Sequence, residues 1–226
     1  QDIPAQIEAL KYANNMMKKY PNSKFIFGGH SKGGNIAVYA AINSSLENKA
    51  RILKVLNYDG PGFPEEIIES EKFMQVKEKI HTYLPQESII GRIMEQGGKV
   101  TVVTSTEKNI YQHDIYSWQL IAKKFNKQKK PNQKSEIVYK SLRKYLQETE
   151  AKNRKKVVDL IFKIFLDSDF ETFAEIGENK AENVIKIIGQ VRELKKEDRD
   201  LIIKMLSELA KIYITTRNKN IRKIRK

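Results

Sequence analysis

The sequence predicts an α/β fold: a short, mostly parallel sheet followed by a helical carboxy-terminal region. Three features carry that expectation. Apolar, strand-like runs at residues 25–27, 51–58, 79–84 and 99–104 alternate with helical stretches, at intervals that suit right-handed crossovers between parallel strands. The first run breaks into Gly28-Gly29-His30-Ser31-Lys32-Gly33-Gly34 and then resumes with helical spacing, which reads as strand, very tight turn and helix. Past residue 127 the strand-like runs stop and helical periods take over.

The elements follow in order. Residues 3–20 place Ile7, Leu10, Ala13, Met16 and Met17 on one helical face, and Pro21-Asn22 ends the helix. The strand at 51–58 is rich in Ile52, Leu53, Val55 and Leu56 and runs into the turn Asp59-Gly60-Pro61-Gly62. Pro64 and an acidic run open a helix to about residue 76. Pro85 breaks the third strand, and a short helix over 88–96 stops at Gly97-Gly98. KVTVVT, residues 99–104, is strand by its β-branched content. Residues 117–124 read as helix and 128–134 as a polar linker. Helices are expected over 136–148, 152–166, 170–176, 179–191 and 198–214. The last carries the stripe Leu201, Met205, Leu209 and Ile212, and the basic tail from 217 is expected to fray. The chain thus divides into an α/β core over 1–127 and a basic helical region over 128–226, a cap, lid or interaction domain.

A chain of 226 residues with 40% hydrophobic content can bury a substantial core. It has no cysteine, which excludes disulfides and thiolate chemistry. No apolar run reaches bilayer length and the first residues do not resemble a signal peptide, so a soluble, cytoplasmic protein is expected. Charge is uneven: residues 1–122 hold 14 Lys and Arg against 13 Asp and Glu, whereas residues 123–226 hold 28 against 15. The second half could therefore meet an anionic surface, whether membrane, nucleic acid or acidic protein, or could simply be a solvated lysine-rich face.

Gly29-His30-Ser31-Lys32-Gly33 fits the G-x-S-x-G pattern of a nucleophile elbow. A serine at the tip of such a turn has a strained backbone, and Gly29 and Gly33 on either side are small enough to let strand and helix approach. The backbone amide of Lys32 would then face a developing oxyanion at the helix N-terminus. A P-loop requires Ser or Thr where Gly33 follows Lys32, and a dinucleotide fingerprint requires glycine where His30 stands. The plainer alternative is a serine that only caps the helix.

Ser31 needs a base. His30 projects differently from its neighbour, and His81 lies inside a strand as a core histidine would. His113 follows the last strand in a loop, the place for a base. The third group should be a carboxylate between serine and histidine in the chain, which admits Glu87 and Asp59. Asp114 adjoins His113 and cannot turn back onto it. Glu87, one strand before the histidine, is preferred to Asp59, whose Asp-Gly-Pro-Gly setting is also good turn chemistry. This chemistry calls for no cofactor, metal or nucleotide.

GHSKGGN, NYDGPGF, LPQESIIG and QHDIYSW, in that order, resemble the bacterial Mbeg1-like (DUF2974) proteins, a family of α/β-hydrolase fold similar to class 3 lipases. The resemblance covers residues 1–122 strongly and the remainder loosely. It implies Ser31 as nucleophile and His113 as base, and it sets the ESIIG segment in the place of the acid loop, where the family more usually has Asp than Glu87. A complete α/β-hydrolase has several strands ahead of its elbow strand, one of whose loops donates a second oxyanion amide. Here one helix precedes the elbow. The resemblance therefore implies a partial α/β-hydrolase with about four strands, a fragment of a larger hydrolase or a shortened descendant, with residues 24–27 on an uncovered flank. The expected activity is hydrolysis of a carboxylic ester, small or lipid, through an acyl-enzyme. The alternative is a hydrolase remnant acting as a basic binding or inhibitor protein toward nucleic acid or a nucleic-acid-processing protein.

Overall fold

The computed structural model describes residues 3–128, 130–150, 152, 153, 156, 160 and 180–224. Helix α1 (Pro4–Lys19) starts on Pro4, whose fixed φ suits a first helical position, and Gln6 Oε1 accepts the Ile3 amide at 3.1 Å. Strand β1 (Phe25–His30) leads through Ser31 directly into α2 (Lys32–Asn43). Helix α3 (Leu46–Arg51) forms because the Ser45 side chain caps it, accepting from the Asn48 amide at 3.2 Å. Arg51 then ties the next strand to the end of α1, donating from Nη1 to the Met17 carbonyl at 3.1 Å.

Strands β2 (Ile52–Tyr58), β3 (Ile80–Pro85) and β4 (Lys99–Val103) follow β1 in a parallel array. The five-stranded sheet has the order β1-β2-β3-β4-β7, where β7 (Lys127–Gln128) pairs antiparallel with β4. The fold is thus mixed α/β with a mostly parallel sheet, as expected, with one strand beyond the four foreseen. β1 lies at the sheet edge. Beside it a groove of about 550 Å³ opens between α1 and α2, lined by Tyr12, Met16, Phe25, Ile26, Ile36 and Ala37 among others.

Helix α2 lies flat on one sheet face because small groups meet there: a Cβ on Gly34 would stand 2.1 Å from Asn57 Oδ1. The core forms between them, from Met17, Val38, Ala41 and Ile42 on the helices and Ile52, Val55 and Ile80 on the strands, closed by Phe73 and Val76. The expected helix over 64–76 is two short ones, α4 (Glu65–Ile68) and α5 (Glu71–Met74), because Ser70 caps the second by accepting from the Phe73 amide.

Two helical expectations fail. Residues 88–96 hold only a 3₁₀ turn, Ile90–Arg92, since Ser88 and Gly91 wrap around the Asp59 carboxylate and Glu95 bridges back to Phe63. Residues 117–124 hold a hairpin instead, β5 (Leu120–Ile121) with β6 (Lys124–Phe125), turning through Ala122 and Lys123, both at positive φ. The hairpin sets Trp118 and Phe125 against Tyr58 and Tyr83, with ring centroids 5.3–6.2 Å apart.

The first compact unit runs to residue 139 rather than 127. The start of α6 (Gln133–Glu148) is bonded to it: Ser135 Oγ donates to the Ser88 carbonyl at 3.0 Å and Arg92 pairs with Glu136. The second unit, 140–226, contains α7 (Lys180–Glu193) and α8 (Lys196–Ile224), where Leu160 and Ile202 pack with Ile187, Val191, Leu194 and Leu201. The helix expected over 170–176, and most of that over 152–166, lie outside the described residues. Among the described residues no helix is long and apolar enough to cross a membrane.

Candidate active site

Ser31 stands where β1 ends and α2 begins, with φ 56° and ψ −128°. That is the left-handed region, which a serine occupies only when its surroundings force it. They do so here from both sides. The Ser31 amide donates to the Tyr58 carbonyl at 2.9 Å, and the Ser31 carbonyl accepts from the Gly34 amide at 3.0 Å. A Cβ on Gly29 would stand 2.3 Å from the Gly33 carbonyl carbon, so glycine is required at that position. The expected matching need at Gly33 is not found: a Cβ there would meet nothing within 4 Å, and the second close approach belongs to Gly34. Although Ser31 is the N-cap residue, its side chain does not cap the helix. Its hydroxyl makes no hydrogen bond among the described residues. The Lys32 amide is the first of α2, a position whose N–H has no carbonyl of its own helix to donate to.

Asp59 ends the adjacent strand at φ 49°, 1% exposed. Its amide donates to the Tyr83 carbonyl at 2.9 Å. The next residue must be glycine, because a Cβ on Gly60 would lie 2.4 Å from both Asn57 Oδ1 and the Ser31 carbonyl oxygen. That crowding presses the Ser31 turn against the Asp59 turn. Asp59 Oδ1 accepts from Ser88 Oγ at 2.5 Å and from the Gly91 amide at 3.2 Å, while Oδ2 faces His113 Nδ1 at 2.7 Å. A buried carboxylate is thereby fully partnered.

His113 closes the 3₁₀ turn Asn109–His113 after β4. A carboxylate only accepts, so the contact puts a proton on Nδ1, and in the neutral ring Nε2 then carries the lone pair, the tautomer of a general base. His30 holds this ring in place. Its Nε2 donates to the His113 carbonyl at 2.6 Å, and the two imidazoles touch with centroids 4.5 Å apart and planes tilted by 37°. Behind the turn, buried Gln112 donates to the Glu107 carbonyl at 2.8 Å, and its own carbonyl accepts from Trp118 Nε1 at 2.8 Å. In the aromatic wall below, burial first, then Tyr83 beside it, pushes the Tyr58 phenol up.

Of the two candidate carboxylates, the structure brings Asp59 to His113 and not Glu87. The preference for Glu87 is corrected by its contacts: Oε2 accepts the Asn109 amide and Oε1 accepts Asn132 Nδ2, each at 2.5 Å. Glu87 therefore fastens the histidine turn to the start of α6 from outside. The expectation of a core histidine at position 81 is also corrected, since His81 is half-buried and has no hydrogen-bond partner among the described residues. Sequence reasoning missed His30, Ser88 and Gly91. Their signals, a histidine inside the elbow motif and a Ser-Ile-Ile-Gly that avoids helix, acquire meaning only once β1, β2 and the two loops meet. Among the described residues no three His, Asp or Glu side chains are grouped to hold a metal ion.

No curated protein and no solved structure matches the chain. The model of one family does, over residues 1–163, a span that holds every site residue named above. By that match over most of its length, the chain belongs to the Mbeg1-like family.

Proposed function

We propose that the chain is a serine hydrolase of esterase or lipase type. The observation that carries this reading is the Asp59–His113 contact at the same end of the sheet as a left-handed, uncapped Ser31. His113 Nε2 takes the Ser31 proton as Oγ attacks an ester carbonyl. The buried Asp59 carboxylate holds the imidazole and stabilises the imidazolium that forms. The Lys32 amide donates to the tetrahedral oxyanion as one half of the hole. The imidazolium then protonates the departing alcohol, and water assisted by the same base releases the acid from the acyl-enzyme. Ser31 and His113 are not hydrogen-bonded in the free chain, an arrangement that can tighten when substrate arrives.

A second reading rests on the 28 Lys and Arg against 15 Asp and Glu in residues 123–226: a binding protein for an anionic partner, nucleic acid or membrane, in which the site is idle. Labelling with a fluorophosphonate separates the two. Wild type is expected to label, with Ser31→Ala and His113→Ala both silent; a folded wild type that stays unlabelled favours the binding reading.

A further inference from the structure

Among the described residues, α1 and α2 pack on one face of the parallel sheet. On the face away from α2, residues in register across the strands make two rows, Ile26 beside Lys54, and Gly28, Leu56, His81 and Lys99 side by side. In the next row toward the strand ends, His30, Tyr58, Tyr83 and Thr101, the two tyrosines are roofed by Trp118 and Phe125. Among the described residues the two lower rows have no such aromatic roof. Ile26 is 59% exposed, Lys54 and Lys99 are exposed, and Leu56 and His81 are half-buried. Parallel sheets are ordinarily covered on both faces, because their strands leave too much apolar surface for water on either side.

The chemistry of these rows narrows what can cover them. Lys54, His81 and Lys99 sit on three neighbouring strands, and among the described residues none of the three has a carboxylate partner. Burial first, then Lys54 and Lys99, holds the His81 imidazole below its ordinary value, as expected of cationic positions that feel one another. Ile26 and Leu56 lie among them. A nucleic acid backbone would satisfy the cations and leave the aliphatic groups wet, whereas a helix with an apolar ridge and flanking carboxylates satisfies both.

We propose that this face docks an acidic amphipathic helix of a partner protein, its apolar ridge over Ile26 and Leu56 and its carboxylates opposite Lys54, His81 and Lys99. The docking is independent of chemistry at Ser31.

The test uses the full chain and a fluorescein-labelled synthetic peptide of about 18 residues, five helical turns, with a leucine ridge flanked by glutamates. A second peptide has glutamine at every glutamate. The glutamate peptide is expected to bind, and Lys54→Glu/Lys99→Glu or replacement by the glutamine peptide weakens binding at least about tenfold. Ile26→Ser, which leaves the charges alone, weakens it too. Circular dichroism and melting confirm that the variants fold. In the complex, the carboxylates raise the His81 pKa, read from its ring proton signals by NMR. Unchanged affinity in the double variant, or a His81 titration that saturating peptide does not move, overturns the proposal. So does a face that binds vesicles of anionic phospholipid through the same lysines while ignoring the peptide.

Discussion

His113 Nδ1 and Asp59 Oδ2 meet at 2.7 Å although 54 residues separate them in the chain. The strand order explains the meeting. β2 and β4 flank β3, so the turn after β2 and the loop after β4 open at the same end of the sheet, and the ESIIG loop after β3 fills the space between them. Asp59→Asn keeps the shape but removes the charge and favours the wrong tautomer. A loss of about 10⁴-fold in fluorophosphonate labelling is expected, by analogy with the same change in a serine-protease triad. Glu87→Gln touches only the outside of the histidine turn and should cost roughly tenfold or less, consistent with about 1 kcal/mol for a positioning hydrogen bond. Equal losses from the two substitutions would show that Asp59 does not orient the base.

His30 reaches His113 from the nucleophile's own turn, so the elbow itself steadies the base. Replacing His30 with Ala removes both the donor and the ring that touches His113. Labelling is expected to slow by roughly five- to tenfold, the worth of about 1 kcal/mol, and amide exchange over 109–113 to quicken. His30→Gln, whose Nε2 can still donate, should recover most of the rate. Failure of Gln to do better than Ala would argue that the ring contact, not the hydrogen bond, positions His113.

The glycines of the elbow invite a contrast that the motif alone would not suggest. Gly29→Ala would put a Cβ into the Gly33 backbone, and strain of this kind costs about 1–3 kcal/mol. Gly33→Ala meets open space in the first turn of α2, where alanine is favoured over glycine by no more than the about 1 kcal/mol of a helix interior. Urea unfolding should therefore show the first variant destabilised and the second neutral or more stable. Gly91→Ala belongs with the first, because its Cβ would stand 2.3 Å from Asp59 Oδ1, and it should depress labelling as well.

Much of this is legible in the sequence because it is local. The strand-turn-helix around Ser31 is written in consecutive residues, and the β-branched run of β4 needs no partner to be recognised. The acid was not legible. Asp59 and Glu87 both follow strands, and what separates them is the non-local environment: Ser88 and the Gly91 amide enclose Asp59, while Asn109 and Asn132 occupy Glu87. The hairpin of β5 and β6 was hidden for a similar reason. Its turn, Ala122-Lys123, lacks the Asn or Gly that usually marks positive φ, and it is held by Trp118 and Phe125 packing on Tyr58 and Tyr83 from distant strands.

The uncovered sheet face should also leave a signature in the pH dependence of stability. In the folded chain His81 resists protonation, first through burial and then through Lys54 and Lys99, whereas in the unfolded chain it titrates near its ordinary value of 6.5. Below that value the unfolded chain binds more protons, so this residue makes stability fall as the pH drops through the region just below 6.5 and contributes no loss well above it. His81→Gln removes that dependence. Urea unfolding at about pH 8 and about pH 5.5, on either side of the ordinary histidine value, should show a smaller acid loss in the variant than in wild type. Lys54→Gln/Lys99→Gln should lie between them, since the two charges contribute after burial. Identical acid losses in all three proteins would mean that His81 protonates as freely folded as unfolded, and that the lysines on its flanks do not reach it.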